Sequence, residues 1–385
     1  MQAIQTVLTL YYLYQLATIL LSLPLRRMRP AGPISEGKSR FAVFVPAHNE
    51  EAVIYASVRS IMSIIYPSDK FDVFVIADNC TDNTAERAAL AGAKVLTRVD
   101  AKKGKQFALE WAFRKAGIAD YDAVLIVDAD NSVHPSLLSA LDRRLANGHK
   151  VIQAYAETKN PTDNWLTMNY AYMYWYMFRL QMIRVRLGMS AWLAGTGVCI
   201  STDILQQIGW HVTTLTDDVE FTCQLLLKGH KVHLATDAIV YDQKPGKLKD
   251  SWLQRVRWVR GQTQVCFKYV PRLFLHALSC WFIKRDFPQA VRAFDAVMWV
   301  PMQFILLLSF AVSISSGALR YILGVLLTAP VFYLLPLLAE RVRAKKSIRY
   351  LITSGLFWFT WVPITFYGVM SFAKKGWFRT PHLEQ

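Results

Sequence analysis

Val124-Leu125-Ile126-Val127-Asp128-Ala129-Asp130-Asn131 is the stretch on which the reading of this chain turns. Four apolar, mostly β-branched residues in a row suit a strand buried on both faces of a sheet. The run stops at two carboxylates one residue apart. In an open α/β sheet, ligands bind beyond the carboxyl ends of the strands, so Asp128 and Asp130 fall where chemistry is expected. Two such acids repel each other unless a cation lies between them, and Mg²⁺ or Mn²⁺ held by one or two carboxylates plus substrate phosphates is the usual solution. The alternative is structural: Asp130 caps the next helix and Asp128 is a solvated strand end. A lone Asp-x-Asp does not separate the two.

Working outward, Phe41–Val45, Phe71–Ala77, Lys94–Leu96 and Ala123–Val127 read as strands. Helical stretches near 50–64, 82–91, 104–117 and 135–146 alternate with them. This alternation predicts a parallel sheet with helices on both faces. The first strand runs into Pro46-Ala47-His48-Asn49-Glu50 and the second into Asp78, so three strand ends converge with Asp128–Asp130. Thr81 or Asp82 is the expected N-cap of the helix that follows Asp78. No Gly-x-Gly-x-x-Gly follows the first strand and there is no P-loop, which argues against dinucleotide and P-loop folds. Lys102-Lys103-Gly104-Lys105 opens a helix, where three lysines oppose the helix dipole. They are either a solvated basic turn or a partner for phosphate.

Farther along, residues 165–187 are apolar and aromatic but interrupted by Asn169, Arg179, Gln181, Arg184 and Arg186, so a buried or interfacial helix is expected rather than a membrane span. Gly195-Thr196-Gly197 is a tight loop where backbone can approach a ligand. Thr216-Asp217-Asp218-Val219-Glu220 starts a helix, with Thr216 as cap and the acids favouring its N-terminus. His230 and His233 fall on a predicted strand, Lys231–Ala235, where residues three apart face opposite sides, so they are not read as metal ligands. Trp252–Val270 is an amphipathic helix carrying Gln254, Arg255, Arg257, Trp258 and Arg260, a composition that also suits an anionic membrane surface.

Hydrophobic residues make up 53% of the 385 and mean hydropathy is +0.21, high for a soluble enzyme. The net charge of +16, from 44 Lys+Arg against 28 Asp+Glu, clusters beside apolar segments. That pattern marks cytoplasmic membrane boundaries better than nucleic acid. Residues 3–23 are long enough to span a bilayer and lack the flanks of a signal peptide. Further spans are expected near 294–316, 321–338 and 351–372, with Arg341 to Arg349 cytoplasmic and Pro363 a candidate break. The expected organisation is an anchor (1–24), a linker (25–40), a catalytic domain (41–250), interfacial helices (251–288), membrane helices (289–373) and a basic tail (374–385). Five scattered cysteines argue for a reduced compartment and against a disulfide or zinc framework.

Asp78, Asp128-Ala129-Asp130, Thr216-Asp217-Asp218 and Gln254-Arg255-Val256-Arg257-Trp258, in that order, resemble the signature of membrane-embedded family 2 glycosyltransferases, the group of cellulose, chitin, hyaluronan and poly-N-acetylglucosamine synthases. The resemblance runs from about Phe41 to Gln262. It implies a GT-A fold between N- and C-terminal transmembrane helices, at the cell membrane with the catalytic domain cytoplasmic. It also implies a UDP-sugar donor, a glycan or lipid acceptor, Mg²⁺ or Mn²⁺, contact with membrane lipids and no nucleic acid, with a second copy of the chain left open as a partner. Carried over by position, Pro46, Ala47, Glu50 and Asp78 hold the nucleoside, with Lys103 or Lys105 near the diphosphate. Asp128 binds nucleotide and, with Asp130, the metal. Gly195, Thr196 and Gly197 lie near the acceptor, and Asp218 is the base. Gln254 and Arg257 bind the diphosphate, and Trp258 lines the acceptor site. The usual Thr-Glu-Asp reads Thr-Asp-Asp here, with Asp217 in place of Glu.

One base without a second nucleophilic carboxylate suits an inverting displacement that extends a β-linked polysaccharide. A ceramide-glucosyltransferase-like enzyme adding one sugar to a lipid is the alternative, and a non-catalytic scaffold the third reading. On this reading Arg255 and Arg260, outside the motif, are expected to accept lysine with little loss.

Overall fold

The computed structural model describes residues 2–26, 37–315, 318–340 and 348–374. These form two compact units: an α/β unit from 37–159 and 190–243, and a helical unit from 2–26, 160–189 and 244 onward. Most of the expected linker (27–36), most of the basic loop (341–347) and the tail beyond 374 lie outside the described residues.

The chain opens with α1 (Gln2–Ser22) of the helical unit. The α/β unit then lays down β1 (Phe41–Ala47), α2 (Ile54–Met62), β2 (Phe71–Asp78), α3 (Thr84–Leu90), β3 (Lys94–Arg98), α4 (Lys105–Lys115), β4 (Ala123–Ile126), β5 (Ser132–Val133), α5 (Leu137–Ala146) and β6 (Val151–Thr158). After α6 (Trp165–Arg186), which packs with the helical unit, come β7 (Val198–Ser201), α7 (Thr202–Ile208), α8 (Asp217–Leu227) and β8 (His233–Asp242). The eight strands form one sheet in the order β3-β2-β1-β4-β7-β6-β8-β5. The first four are parallel, as the alternation predicts. The purely parallel expectation fails beyond β4, because β7 runs antiparallel to both β4 and β6, and β5 antiparallel to β8.

The pleat sorts β1 between two layers. Val43 and Val45 face a core shared with Ile54, Val58 and Ile61 of α2 and Leu137, Leu138 and Leu141 of α5. Phe44 turns the other way, stacked on Phe74 at 5.2 Å and edge-on to Phe113 of α4 at 5.1 Å, and Trp210 and Phe221 continue that cluster. Pro46 is tolerated in a central strand because it lies past the last β1–β4 pair, Phe44 with Ile126, so its missing N–H costs that ladder nothing.

The helical unit adds α9 (Leu248–Leu278), α10 (Phe287–Trp299), α11 (Met302–Ser315), α12 (Ala318–Glu340) and α13 (Ser354–Met370). Most of α6 is buried, as its polar interruptions require. Arg179 donates from Nε to Glu340 at 2.9 Å and from Nη1 to the carbonyls of Ser22 and Leu25, and Arg184 pairs with Asp295 at 3.2 Å. Such charges persist away from water only when paired. The span expected at 294–316 is instead two helices, α10 and α11, bent by 47° at a break containing Pro301, which cannot continue the ladder. Pro363 does not break its helix; α13 runs through it. Among the described residues no single helix is long and apolar enough to cross a membrane. The bent α10–α11 pair passes that test jointly, and Leu8–Ser22 and Ala329–Glu340 are shorter apolar helices.

Arg255 departs from its expected role. It is fully buried, its Nη1 donates to Thr360 Oγ1 at 2.7 Å, and its guanidinium lies 4.8 Å and 5.0 Å from the ring centres of Phe357 and Trp361. It therefore pins α13 to α9. Arg260 does the same more loosely, donating to Ser371 Oγ at 2.8 Å. A lysine at 255 keeps the charge but loses the planar stack and the Thr360 bond, together about 2 kcal/mol. We expect Arg255→Lys to lower the thermal unfolding midpoint measurably in one detergent preparation, and Arg260→Lys to lower it less. Equal midpoints for Arg255→Lys and wild type would remove the clamp.

Candidate active site

The carboxyl ends of β1, β2, β4 and β8 and the N-terminus of α8 carry the candidate residues of the α/β unit. Asp128 follows β4 directly, and its backbone N–H donates to Thr196 Oγ1 at 3.2 Å. Lys105, on the first turn of α4, bridges the centre. Its Nζ lies 2.5 Å from Asp128 Oδ1, donates to the Gly195 carbonyl at 2.7 Å and is 4.0 Å from Asp217 Oδ2. Burial disfavours the ammonium, but Asp128, Asp217 and Asp218 outweigh it and hold the pKa above the ordinary lysine range. Lys105 is thus the lysine of the basic turn that enters the site, whereas Lys103 is exposed.

The Gly195-Thr196-Gly197 loop is shaped by two different demands. Gly195, at φ +80°, brings backbone beside the base candidate: a Cβ there would sit 3.6 Å from Asp218 Oδ2. Gly197, at φ +65°, is a packing requirement, since a Cβ would strike Ala154 at 2.9 Å and Val240 at 3.0 Å. Gln153 secures the loop, donating from Nε2 to the Thr196 carbonyl and accepting at Oε1 from Ala194 N–H. Asp218 lies in the first turn of α8 and its Oδ1 accepts from Val219 N–H at 2.8 Å. Thr216 occupies the N-cap position without the capping bond expected of it, and Glu220 does the structural work instead. Its buried carboxylate accepts from Thr213 N–H at 2.8 Å and Thr214 N–H at 2.7 Å, shaping the approach to α8.

Asp130 has a different setting from Asp128. Burial, then Asp242, Asp128 and Glu50, push its carboxyl well above the usual carboxylate range. Asn131, with its amide assigned from its neighbours, accepts from Thr196 Oγ1 at 2.7 Å and donates to Asp130 Oδ1 at 2.9 Å and Asp242 Oδ1 at 3.3 Å. Asp242, at the end of β8, was not expected from sequence. Hard oxygen donors that repel one another fit Mg²⁺ or Mn²⁺. Among the described residues no three His, Cys, Asp or Glu side chains converge to hold a metal, so a cation here would complete its shell from phosphates and water. His233 does not contribute: it opens β8 and stacks on His149 at 3.7 Å. None of the five cysteines is joined in a disulfide.

Two asparagines stand in left-handed conformation, Asn49 at φ 56° and Asn79 at φ 51°, one beyond each of β1 and β2. Asn is among the side chains that best tolerate this region, and such positions concentrate at functional sites. Asn49 Oδ1 accepts from Thr81 N–H at 2.7 Å, tying the two loops together. Asp78 is buried and held by Arg98 at 2.5 Å and by Asn79 Nδ2 at 2.9 Å, while His48 Nδ1 meets its carbonyl at 2.7 Å. Pro46 and Ala47 end β1, and Glu50 N–H donates to Thr84 Oγ1 at 2.8 Å. The helix here starts at Thr84 with Asn83 in the cap position, two residues later than a Thr81 cap. Asp82 still accepts from Thr84 N–H at 3.1 Å.

Gln254, Arg257 and Trp258 belong to the helical unit, on the second and third turns of α9, all partly exposed. Arg257 Nε is buried without a hydrogen-bond partner among the described residues.

The model of the family described as "Glycosyltransferase like family 2" matches residues 39–261, more than half of the chain. A probable glycosyltransferase, YdaM, of Bacillus subtilis is 28% identical over 61% of this chain and 58% of its own. The beta-monoglucosyldiacylglycerol synthase of Synechocystis is 29% identical over 59% of this chain and 48% of its own. The poly-beta-1,6-N-acetyl-D-glucosamine synthase of Staphylococcus aureus is 23% identical over 68% and 62%. The chain therefore spans about half to three-fifths of the length of these curated relatives. Among solved structures, the mannosyltransferase PcManGT of Pyrobaculum calidifontis, in complex with GDP-Man and Mn²⁺, superposes with a TM-score of 0.56 at 16% identity, covering 95% of this chain and 96% of that one. This likeness supports the GT-A-like fold. With its α/β sheet, its acidic strand ends and a family match across 39–261, the chain belongs to glycosyltransferase family 2 and carries that family's transferase domain.

Proposed function

We propose that this protein transfers a sugar from a UDP-sugar donor to an acceptor hydroxyl in a single inverting displacement, extending a β-linked glycan at the membrane. The observation that carries the proposal is the gathering of Asp128, Gly195, Asp217 and Asp218 around Lys105, from segments far apart in sequence. An acceptor hydroxyl is a poor nucleophile near neutral pH, and Asp218, at the mouth of the Gly195 loop, is the carboxylate that takes its proton as the bond to the sugar forms. The departing diphosphate gathers negative charge, which Lys105 is positioned to offset. A divalent cation bound at Asp128 and Asp130 would supply Lewis-acid stabilisation of that leaving group. Asp78, Glu50 and the Asn49–Thr81 loop form the nucleoside end.

By the sequence motif, Gln254 and Arg257 are assigned to the donor diphosphate and Trp258 to the acceptor sugar. A planar guanidinium offers paired donors that an ammonium does not. We expect Arg257→Lys to insert and fold normally, with an unchanged unfolding midpoint, yet to lose most transfer activity. Retention of full activity would sink the diphosphate role and leave a membrane-surface helix.

A second reading has a specific observation in its favour: the glucosyldiacylglycerol synthase is 29% identical to this chain and the polysaccharide synthase 23%. Incubation with labelled UDP-sugars and sizing of the product decides. A ladder means polymer extension; one sugar on a lipid means glycolipid formation. In both readings we assign the protein to the cell membrane with the α/β unit cytoplasmic, and protease protection in sealed vesicles tests that side.

A further inference from the structure

We infer that Tyr170, on α6, is a positioning residue for the Gln254–Trp258 motif of α9. Nothing in the motif points to it, since it lies 84 residues before Gln254 in the chain. The inference rests on the transferase reading above, because it assumes that Gln254 and Trp258 act in that reaction.

The segment leading into Tyr170 fastens the start of α9 at successive points. Asn160 pairs both ways with Lys244, accepting from its N–H at 2.9 Å and donating to its carbonyl at 3.0 Å. Asn164 caps α6 with a reciprocal Thr167 bond and spends its amide N–H on the Gly246 carbonyl at 2.9 Å. These contacts set the loop 244–246 that feeds α9. Tyr170 then reaches the motif itself. Its hydroxyl lies 2.8 Å from Ser251 Oγ and donates to Gln254 Oε1 at 3.5 Å. Its ring, fully buried, stands perpendicular to Trp258 at 6.2 Å and edge-on to Phe357 at 5.4 Å.

The chemistry explains why a tyrosine suits this place. A glutamine amide has two ends that look alike in size, and only a hydrogen bond decides which one faces outward. With Oε1 engaged by the tyrosine hydroxyl, Nε2 is the end of the amide left for the donor diphosphate that the motif assigns to Gln254. The same ring meets the Trp258 indole edge-to-face, an arrangement worth about 0.5–1.5 kcal/mol beyond area burial and one that fixes the tilt of the indole. One buried side chain thus orients the amide of one motif residue through its hydroxyl and the ring plane of another through its own ring. Ser251, holding the hydroxyl from below, keeps it from rotating away.

The test compares Tyr170→Phe, Gln254→Leu and the double variant in full-length protein, in one detergent preparation, with unfolding midpoint, UDP affinity, and kcat and KM for the UDP-sugar as readouts. Tyr170→Phe keeps the ring and loses only the hydroxyl, so we expect kcat to fall about tenfold. Its midpoint should shift little, and the double variant should be no worse than Gln254→Leu alone, because both act on one amide. A structural tyrosine would instead give a lowered midpoint and losses that multiply. Ser251→Ala, which frees the hydroxyl from its other end, should show the same kcat loss in smaller measure and serves if Tyr170→Phe does not fold. Unchanged kcat in both Tyr170→Phe and Ser251→Ala, or multiplicative losses, would overturn the inference. If Gln254→Leu itself transfers sugar normally, the motif reading has failed rather than the positioning role.

Discussion

Asp218→Asn is expected to leave UDP binding nearly intact while removing most turnover, by roughly 10²–10⁴-fold, the range a general base supplies. The variant keeps the size and hydrogen-bonding shape of the side chain, including an oxygen for the Val219 N–H that Asp218 now satisfies. Folding should therefore be unaffected, and the loss should appear in kcat. Asp217→Asn should be milder, because Asp217 faces Lys105 from 4.0 Å and shares that cation with Asp128. Single-turnover rates and UDP titrations on both variants measure the contrast. A larger loss at 217 than at 218 would shift the motif by one residue and move the base.

Chelation of the divalent cation is the second large effect. EDTA should abolish transfer and Mn²⁺ or Mg²⁺ should restore it. Asp130→Asn should weaken Mn²⁺ binding by on the order of 10²-fold or more, since a ligand should matter at least as much as the outer partners worth 10–100-fold. The environment of Asp130 adds a signature. Its carboxyl is pushed up by burial and by Asp242, Asp128 and Glu50, so in metal-free protein it holds a proton at a higher pH than an ordinary aspartate. A metal must displace that proton, and Mn²⁺ affinity should therefore climb with pH through and above the usual carboxylate range. Asp130→Asn removes one of the mutually repelling acids, so the apo variant should be at least as stable as wild type. Calorimetric titration across pH reads the first effect and thermal unfolding the second. Full activity in EDTA would falsify the cation's role.

Much of this was legible in sequence, and what was not has identifiable causes. β1, β2 and β4 are runs of buried apolar residues bounded by turn residues, and such runs announce themselves. The acids at their ends followed from the strand assignment. β8 did not: its sequence reading stops at Ala235, seven residues short of the strand's end at Asp242. Asp237 is in fact 1% exposed, neutralised by Arg143 at 3.0 Å and by Arg144, and the strand continues beyond it to Asp242. That masked the extra acid beside Asp130. β7 is four residues long, too short for periodicity to register, and its antiparallel course shows only in its pairing with β4 and β6. Arg255 resembles its neighbours in composition, and only the tertiary contact with Thr360 and two aromatic rings distinguishes it.

Lys105 has a consequence for chemical labelling. Amine-directed acylating reagents need a neutral, accessible nitrogen, and this ammonium is held charged by three carboxylates with its side chain only 18% exposed. Lys102 and Lys103, exposed on the turn just before it, offer no such protection. A single peptide across this turn therefore carries a slow-reacting amine with two fast neighbours as internal standards. The ratio of their acylation, read by mass spectrometry, reports whether the lysine is still seated among its acids or has been drawn off by a bound diphosphate, without any knowledge of the acceptor.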